Sequence, residues 1–179
     1  MRTINLQTIG EQLKATGCYQ TTWKELGLSF DEELAGEIIR LSTEDHVRPA
    51  TEELVREARS NSPVCRDAAR RLLGPLVNRL FDDDKYASAR ANWNVFGVNY
   101  YDVGNTFPMH RDFNNSDIRT ALVASLSGVR ILGVKGVKPI RQEVGSIVII
   151  DGGSNPEHEA YCVEGPSVSA VEDVPELLY

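Results

Sequence analysis

Apolar residues recur at helical spacing in three stretches of the N-terminal half, Ile4–Ala15, Phe30–Leu41 and residues 63–81, and each predicts an amphipathic helix. Ser29, followed by Asp31, Glu32 and Glu33, supplies a start signal for the second helix and places acids on the positive end of its dipole. Between the first two helices, GCYQTTWKELG reads as a short strand or turn. From about residue 93 the pattern changes to short apolar runs punctuated by Gly, Pro and Asn, the mark of an all-β sandwich or barrel. Eight strands are predicted, near 93–101, 106–112, 118–126, 129–134, 137–142, 146–151, 157–163 and 167–173. The expected architecture is mainly β: a jelly-roll-like barrel buttressed by α-helices. No repeat, low-complexity tract or Pro/Ser-rich linker divides the chain. It therefore reads as a single domain over 1–179, with a helical support region (1–92) and a β-barrel core (93–179).

Composition narrows the class. A chain of 179 residues that is 41% hydrophobic suffices for one complete core. Its net charge of −7 offers no basic face to a phosphate backbone, so nucleic acid is not an expected partner. Cys18, Cys65 and Cys162 are widely spaced with no CxxC pair, which indicates neither a disulfide framework nor a zinc ribbon; they read as small buried hydrophobes. No segment has signal-peptide character or approaches the roughly 20 apolar residues of a membrane span. The expectation is a cytoplasmic protein in a reducing setting, with no membrane partner.

The chemistry concentrates on histidine. Of the three present, His46 lies in the polar stretch STEDHVRP and reads as a solvated loop residue. In His110-Arg111-Asp112, residues i and i+2 on an extended segment face one side, so an imidazole and a carboxylate converge while Arg111 points away. A third ligand from a distant strand, for which His158 is the remaining candidate, completes a two-histidine, one-carboxylate facial triad. Such a triad leaves three coordination positions open and suits non-haem Fe(II). An isolated H-x-D also arises by chance, and a His–Asp hydrogen bond serves structure equally well, so spacing alone leaves both readings open.

Residues 98–112, VNYYDVGNTFPMHRD, resemble the Y-x-x-G…H-x-D entry of the Fe(II)/2-oxoglutarate-dependent dioxygenases, with Tyr101 at the Tyr and Gly104 at the turn Gly. Residues 145–158, GSIVIIDGGSNPEH, resemble the same superfamily's Gly-led strand, turn and second metal histidine. LKATGCYQTTWKELGLSFDEELAGEIIRL is similar to the opening of the isopenicillin-N-synthase-like branch, whereas residues 43–92 match no recognisable pattern. The resemblance implies a double-stranded β-helix with His110, Asp112 and His158 as iron ligands. It also implies an oxidoreductase that uses Fe(II), O2 and 2-oxoglutarate as cosubstrate, decarboxylating the keto acid to succinate while a substrate hydrogen is abstracted. Halogenating relatives replace the carboxylate with a small residue, so Asp112 argues against halogenation.

One departure concerns the cosubstrate. Relatives in this branch place Arg-x-Ser after the second histidine; here Ser169 is present, but Ser167 occupies the Arg position, nine residues beyond His158. Another branch anchors the cosubstrate with a basic residue in a G-x-Lys setting, and LSGVR places Arg130 there, two residues beyond Gly128. Arg130 is thus expected to grip the distal carboxylate. Arg119 and Arg141 are the alternatives, and an Arg130 facing solvent on an edge strand is the competing reading; with no arginine in the pocket, another keto acid or none would serve. Tyr101, Asn99 and Ser169 are expected to add hydrogen bonds, against Tyr101 as a simple barrel aromatic.

Asn114 and Asn115 are candidate substrate contacts or ordinary turn residues. Trp93 and Phe107 read as core, and Glu157 and Glu159 as outward-facing. The expected activity is hydroxylation, desaturation or cyclisation of a small-molecule substrate such as an amino acid or natural-product intermediate, with a lid drawn from the N-terminal helices or from a second subunit of an oligomer. Two further readings compete: a cupin-like isomerase or lyase without 2-oxoglutarate, disfavoured by H-x-D in place of H-x-H with a following Glu, and a non-catalytic binding barrel, which has no need of all three ligands.

Overall fold

A computed structural model describes residues 6–44, 58–60, 62–112 and 120–178. Three helices, α1 (Leu6–Thr16), α2 (Glu32–Glu44) and α3 (Pro63–Leu80), form where helical periodicity predicts them. The start of α2 differs from expectation in its cap: Asp31, rather than Ser29, accepts the Leu34 N–H at 2.9 Å. Ser62 caps α3 through the Cys65 N–H, and Pro63 sits at the first helical position, where a missing N–H costs nothing. A short helix, α4 (Ala87–Asn92), leads into the barrel and has no counterpart in the sequence reading.

The strands are β1 (Cys18–Thr22), β2 (Ala58–Ser60), β3 (Asn94–Tyr101), β4 (Thr106–His110), β5 (Thr120–Val134), β6 (Ile140–Gln142), β7 (Ser146–Asp151) and β8 (His158–Val174). Two of them merge pairs of predicted strands. β5 joins 118–126 to 129–134, and β8 joins 157–163 to 167–173. Each bends midway and so serves two layers.

In the larger layer, the first half of β5 and the second half of β8 lie together, flanked by β7 and β1 on one side and β3 and β2 on the other. In the smaller layer, the second half of β5 pairs with β6 and the first half of β8 pairs with β4. At the bend, Gly128 (φ +63°) is so close to β8 that a Cβ would stand 2.6 Å from the carbonyl oxygens of both Glu164 and Pro166. Only glycine closes this corner. β1 and β2 show that the N-terminal half also contributes strands to the larger layer.

Side-chain alternation divides the interior in two. One face of the larger layer, with Val95, Val98, Leu122, Ala124, Ile147, Ile149, Val168 and Ala170, packs against Ile9, Leu13, Ile38, Leu73, Leu76 and Phe81 of the helical layer. The other face points into the barrel, where Cys18, Ala121, Leu132, Val134, Val148, Ile150 and Ala160 form a second apolar cluster. Among the described residues, no helix is long and apolar enough to cross a membrane.

Candidate metal centre

His110 ends β4, His158 begins β8, and the two are register partners, so pairing of these strands alone brings the imidazoles face to face, with ring centroids 4.4 Å apart. Asp112 lies two residues past the end of β4. Its Oδ1 is 3.0 Å from Nε2 of His110 and its Oδ2 is 3.2 Å from Nε2 of His158. One potential ligand atom from each residue lies within 4.8 Å of the others. The sequence-predicted triad is therefore assembled. The His158 side chain is 6% exposed, against 23% for His110 and 34% for Asp112, so the centre opens to solvent on the aspartate's side.

The second nitrogen of each imidazole is also engaged. Nδ1 of His110 lies 2.7 Å from the carbonyl of Pro108, and Nδ1 of His158 lies 3.0 Å from the carbonyl of Pro156. A carbonyl can only accept, so each Nδ1 donates to its proline carbonyl and each Nε2 is turned inward toward Asp112, the arrangement that orients a metal-ligating histidine. The device repeats as P-x-H, in PMH and PEH. Sequence reasoning missed it, although the repeat was the signal that could have found it. Phe107 packs edge-on against His110, with centroids 4.0 Å apart.

Electrostatics hold the carboxylate ionised. Burial pushes Asp112 up, but hydrogen bonds and charge from His158 and His110 outweigh it and leave its pKa far below the usual carboxylate range. Burial likewise opposes a charged His158, and Asp112 more than offsets it, raising the imidazole above its ordinary value.

The turn bearing His158 is built by Asp151, whose carboxylate accepts the Gly153 and Ser154 N–H groups at 3.0 and 2.9 Å. Its next residues pack over Gly17, where a Cβ would stand 2.8 Å from Ser154 Oγ and 2.9 Å from Pro156 Cγ.

The predicted cosubstrate residues gather deeper in the barrel. Arg130 pairs with Cys162, four residues along β8 from His158 and so about 13 Å of strand away. It is 3% exposed, which overturns the solvent-facing reading. Its guanidinium donates to Gln142 Oε1 at 2.7 Å and Ser169 Oγ at 2.6 Å, and lies 5.7 Å from the centroid of the Tyr101 ring.

Asn99, Ser125 and Ser169 stand in one row across β3, β8 and β5, and Tyr101 and Ser167 in the next. These five alternate with the helix-facing residues and so point inward, as does Ser146 beside Ile147. Some side-chain atoms of this polar cluster have no hydrogen-bond partner among the described residues: Gln142 Nε2 and the hydroxyls of Ser125, Ser146 and Ser167. Sequence reasoning named Arg130, Tyr101, Asn99 and Ser169 but not Gln142, Ser125 or Ser146. Arg141 is exposed and paired with Glu143 and Glu164. Trp93 is buried in the core, and Glu157 meets Lys135 outside the centre. Asn114, Asn115, Arg119 and His46 lie outside the described residues.

No protein family and no curated sequence matches the chain. Solved structures do. A Pseudomonas putida prolyl-4-hydroxylase superimposes with a TM-score of 0.67 at 16% identity, over 96% of this chain and 98% of that one. The non-haem α-ketoglutarate-dependent epimerase SnoN of nogalamycin biosynthesis gives 0.63 at 14% identity, over 94% and 83%. An oxidoreductase of the 2OG-Fe(II) oxygenase family from Burkholderia pseudomallei gives 0.60 at 17% identity, over 96% and 90%. The fold is thus the jelly-roll, double-stranded β-helix that houses 2OG-Fe(II) oxygenases. Within it, this chain sets His110, Asp112 and His158 in an HxD…H cluster.

Proposed function

We propose that the protein is a non-haem Fe(II), 2-oxoglutarate-dependent oxygenase that oxidises a small molecule. The observation that carries this reading is the convergence of His110 Nε2, Asp112 and His158 Nε2, with both imidazoles oriented from behind by proline carbonyls. The donor set fits the ion. One ligand atom from each of the three residues lies within 4.8 Å of the others, so His110, Asp112 and His158 would hold the ion together. Two neutral imidazoles and one carboxylate leave the ion one positive charge and three open positions.

The polar cluster around Arg130 has the chemistry to receive the distal carboxylate of the keto acid. Arg130 supplies the fork for a carboxylate, with Ser169, Tyr101 and Asn99 around it. The unpartnered Gln142 Nε2 and serine hydroxyls each carry a desolvation cost of about 1–3 kcal/mol that a bound acid would relieve. Between that cluster and the triad, Leu132 and Ala160 are register partners in the apolar interior, a surrounding suited to a methylene chain. Bound iron would supply the site at which dioxygen and 2-oxoglutarate react, releasing succinate and carbon dioxide as a substrate C–H bond is oxidised.

The test is anaerobic addition of Fe(II) and 2-oxoglutarate to the metal-free protein, followed by the weak visible charge-transfer band of the chelate. The band is expected with wild type and absent in His158→Ala. In Arg130→Ala it is expected only at 2-oxoglutarate concentrations about 10-fold higher or more, for the loss of a charge-assisted pair. A wild-type protein that binds Fe(II) but gives no band refutes the cosubstrate assignment.

A further inference from the structure

The three ligands come from two segments, and the strand ladder between them is irregular just where they meet, with the register shifting between Phe107 and His110. Asp112 lies beyond that ladder, and its carboxylate contacts are to the other two ligands. Between His110 and Asp112, Arg111 turns outward and crosses to the opposite segment. Its Nη1 donates to the Asn155 carbonyl at 2.5 Å, and its Nη2 lies 3.8 Å from Glu157 Oε1, while Lys135 holds the other oxygen of Glu157.

Asn155 is the one non-glycine with positive φ among the described residues, at +43°. Its N–H donates to the Asp151 carbonyl at 2.9 Å. Asparagine tolerates this left-handed conformation better than other side chains. The same turn therefore presents a carbonyl to Arg111 and, one residue later, the Pro156 carbonyl to His158.

We infer that Arg111 is a positioning residue that latches the H-x-D segment onto the turn delivering His158, and so sets the affinity of the centre for its metal. The inference rests on the metal-centre reading above. Without the latch the three ligands remain, but Asp112 must be ordered when the ion binds. Loss of outer-sphere support of this kind lowers metal affinity by about 10- to 100-fold.

The experiment titrates metal-free protein with Co(II) against a competing chelator, read by the visible absorption of the bound ion. Thermal unfolding of the metal-free forms is measured alongside. Arg111→Ala is expected to bind Co(II) about 10- to 100-fold more weakly with little change in the metal-free midpoint, because an exposed pair adds little to stability. Arg111→Lys restores part of the affinity. Glu157→Gln, which leaves the Asn155 carbonyl contact intact, stays within about twofold of wild type.

Equal affinity in wild type and Arg111→Ala, with His158→Ala abolishing uptake, overturns the latch while sparing the centre. A loss in Glu157→Gln as large as that in Arg111→Ala overturns the carbonyl latch in favour of charge. A wild type that takes up no Co(II) overturns both. Should Arg111→Ala not fold, Arg111→Met keeps the apolar stem, removes the donors and carries the same expectation.

Discussion

Replacing Glu172 with glutamine is expected to remove a pH-dependent weakness from the core. Glu172 lies on β8, opposite Leu122 of β5 and Val95 of β3, on the face that meets the helical layer. It is 0% exposed, and neither carboxyl oxygen has a hydrogen-bond partner among the described residues. Burial, reinforced by the charge of Asp173, pushes its pKa well above the ordinary glutamate value of 4.5. Arg70 pulls the other way, but its guanidinium is committed to the Trp93 carbonyl at 2.7 Å and lies over the Trp93 ring.

The folded state therefore keeps a proton that the unfolded chain releases as pH rises past about 4.5. The native form binds more protons in this window, so stability is greatest below it and falls as pH climbs toward the folded pKa. The slope is about 1.4 kcal/mol per pH unit. Glutamine keeps the shape and the polar burden but does not titrate. Urea unfolding of both proteins at pH 4.5, 5.5 and 6.5 and fixed ionic strength isolates the effect, since every other titrating group cancels in the difference. The two should agree within about 1 kcal/mol at the lowest pH, and the variant should gain steadily above it. A difference that does not change with pH would refute the buried neutral acid.

Two further outcomes follow from the barrel. Gly128→Ala should lower stability by about 2 kcal/mol or more, read as a shifted urea midpoint at unchanged slope, because a Cβ at φ +63° meets two carbonyl oxygens. A divalent metal at about 100 times its dissociation constant should stabilise the folded state by about 2.7 kcal/mol, and His158→Ala should abolish the rise in melting temperature.

The barrel strands were legible because their alternation and Gly/Pro punctuation are local. Their merging was not. Gly128 and the Gly165-Pro166 pair look like chain breaks, yet in β5 and β8 they mark where a continuous strand passes from one layer to the other. β2 is three residues long and exists through edge pairing with β3, a long-range event with no local pattern.

The H-x-D…H cluster was readable only with the family resemblance beside it, since the spacing alone fits a structural His–Asp pair equally well. The polar cluster around Arg130 was only partly so, since Gln142, Ser125 and Ser146 are scattered polar residues that the strand register alone brings beside Ser169. Glu172 sits in SAVEDV, where the adjacent pair Glu172-Asp173 carries no local signal for which acid is buried. Strand alternation puts it on the same face as Val168, Ala170 and Val174, which the helical layer covers.

The two-layer course of β5 and β8 also makes the barrel a gauge. His158 and Ser169 are covalently joined along β8, and Arg130 is locked beside them by a register that cannot slip one residue without turning every inward side chain outward. Under the proposed function, the separation between ion and guanidinium is therefore written in backbone rather than in side-chain choice. The enzyme would select its keto acid by reach, with a dicarboxylate one carbon shorter or longer meeting one end of the gauge and missing the other.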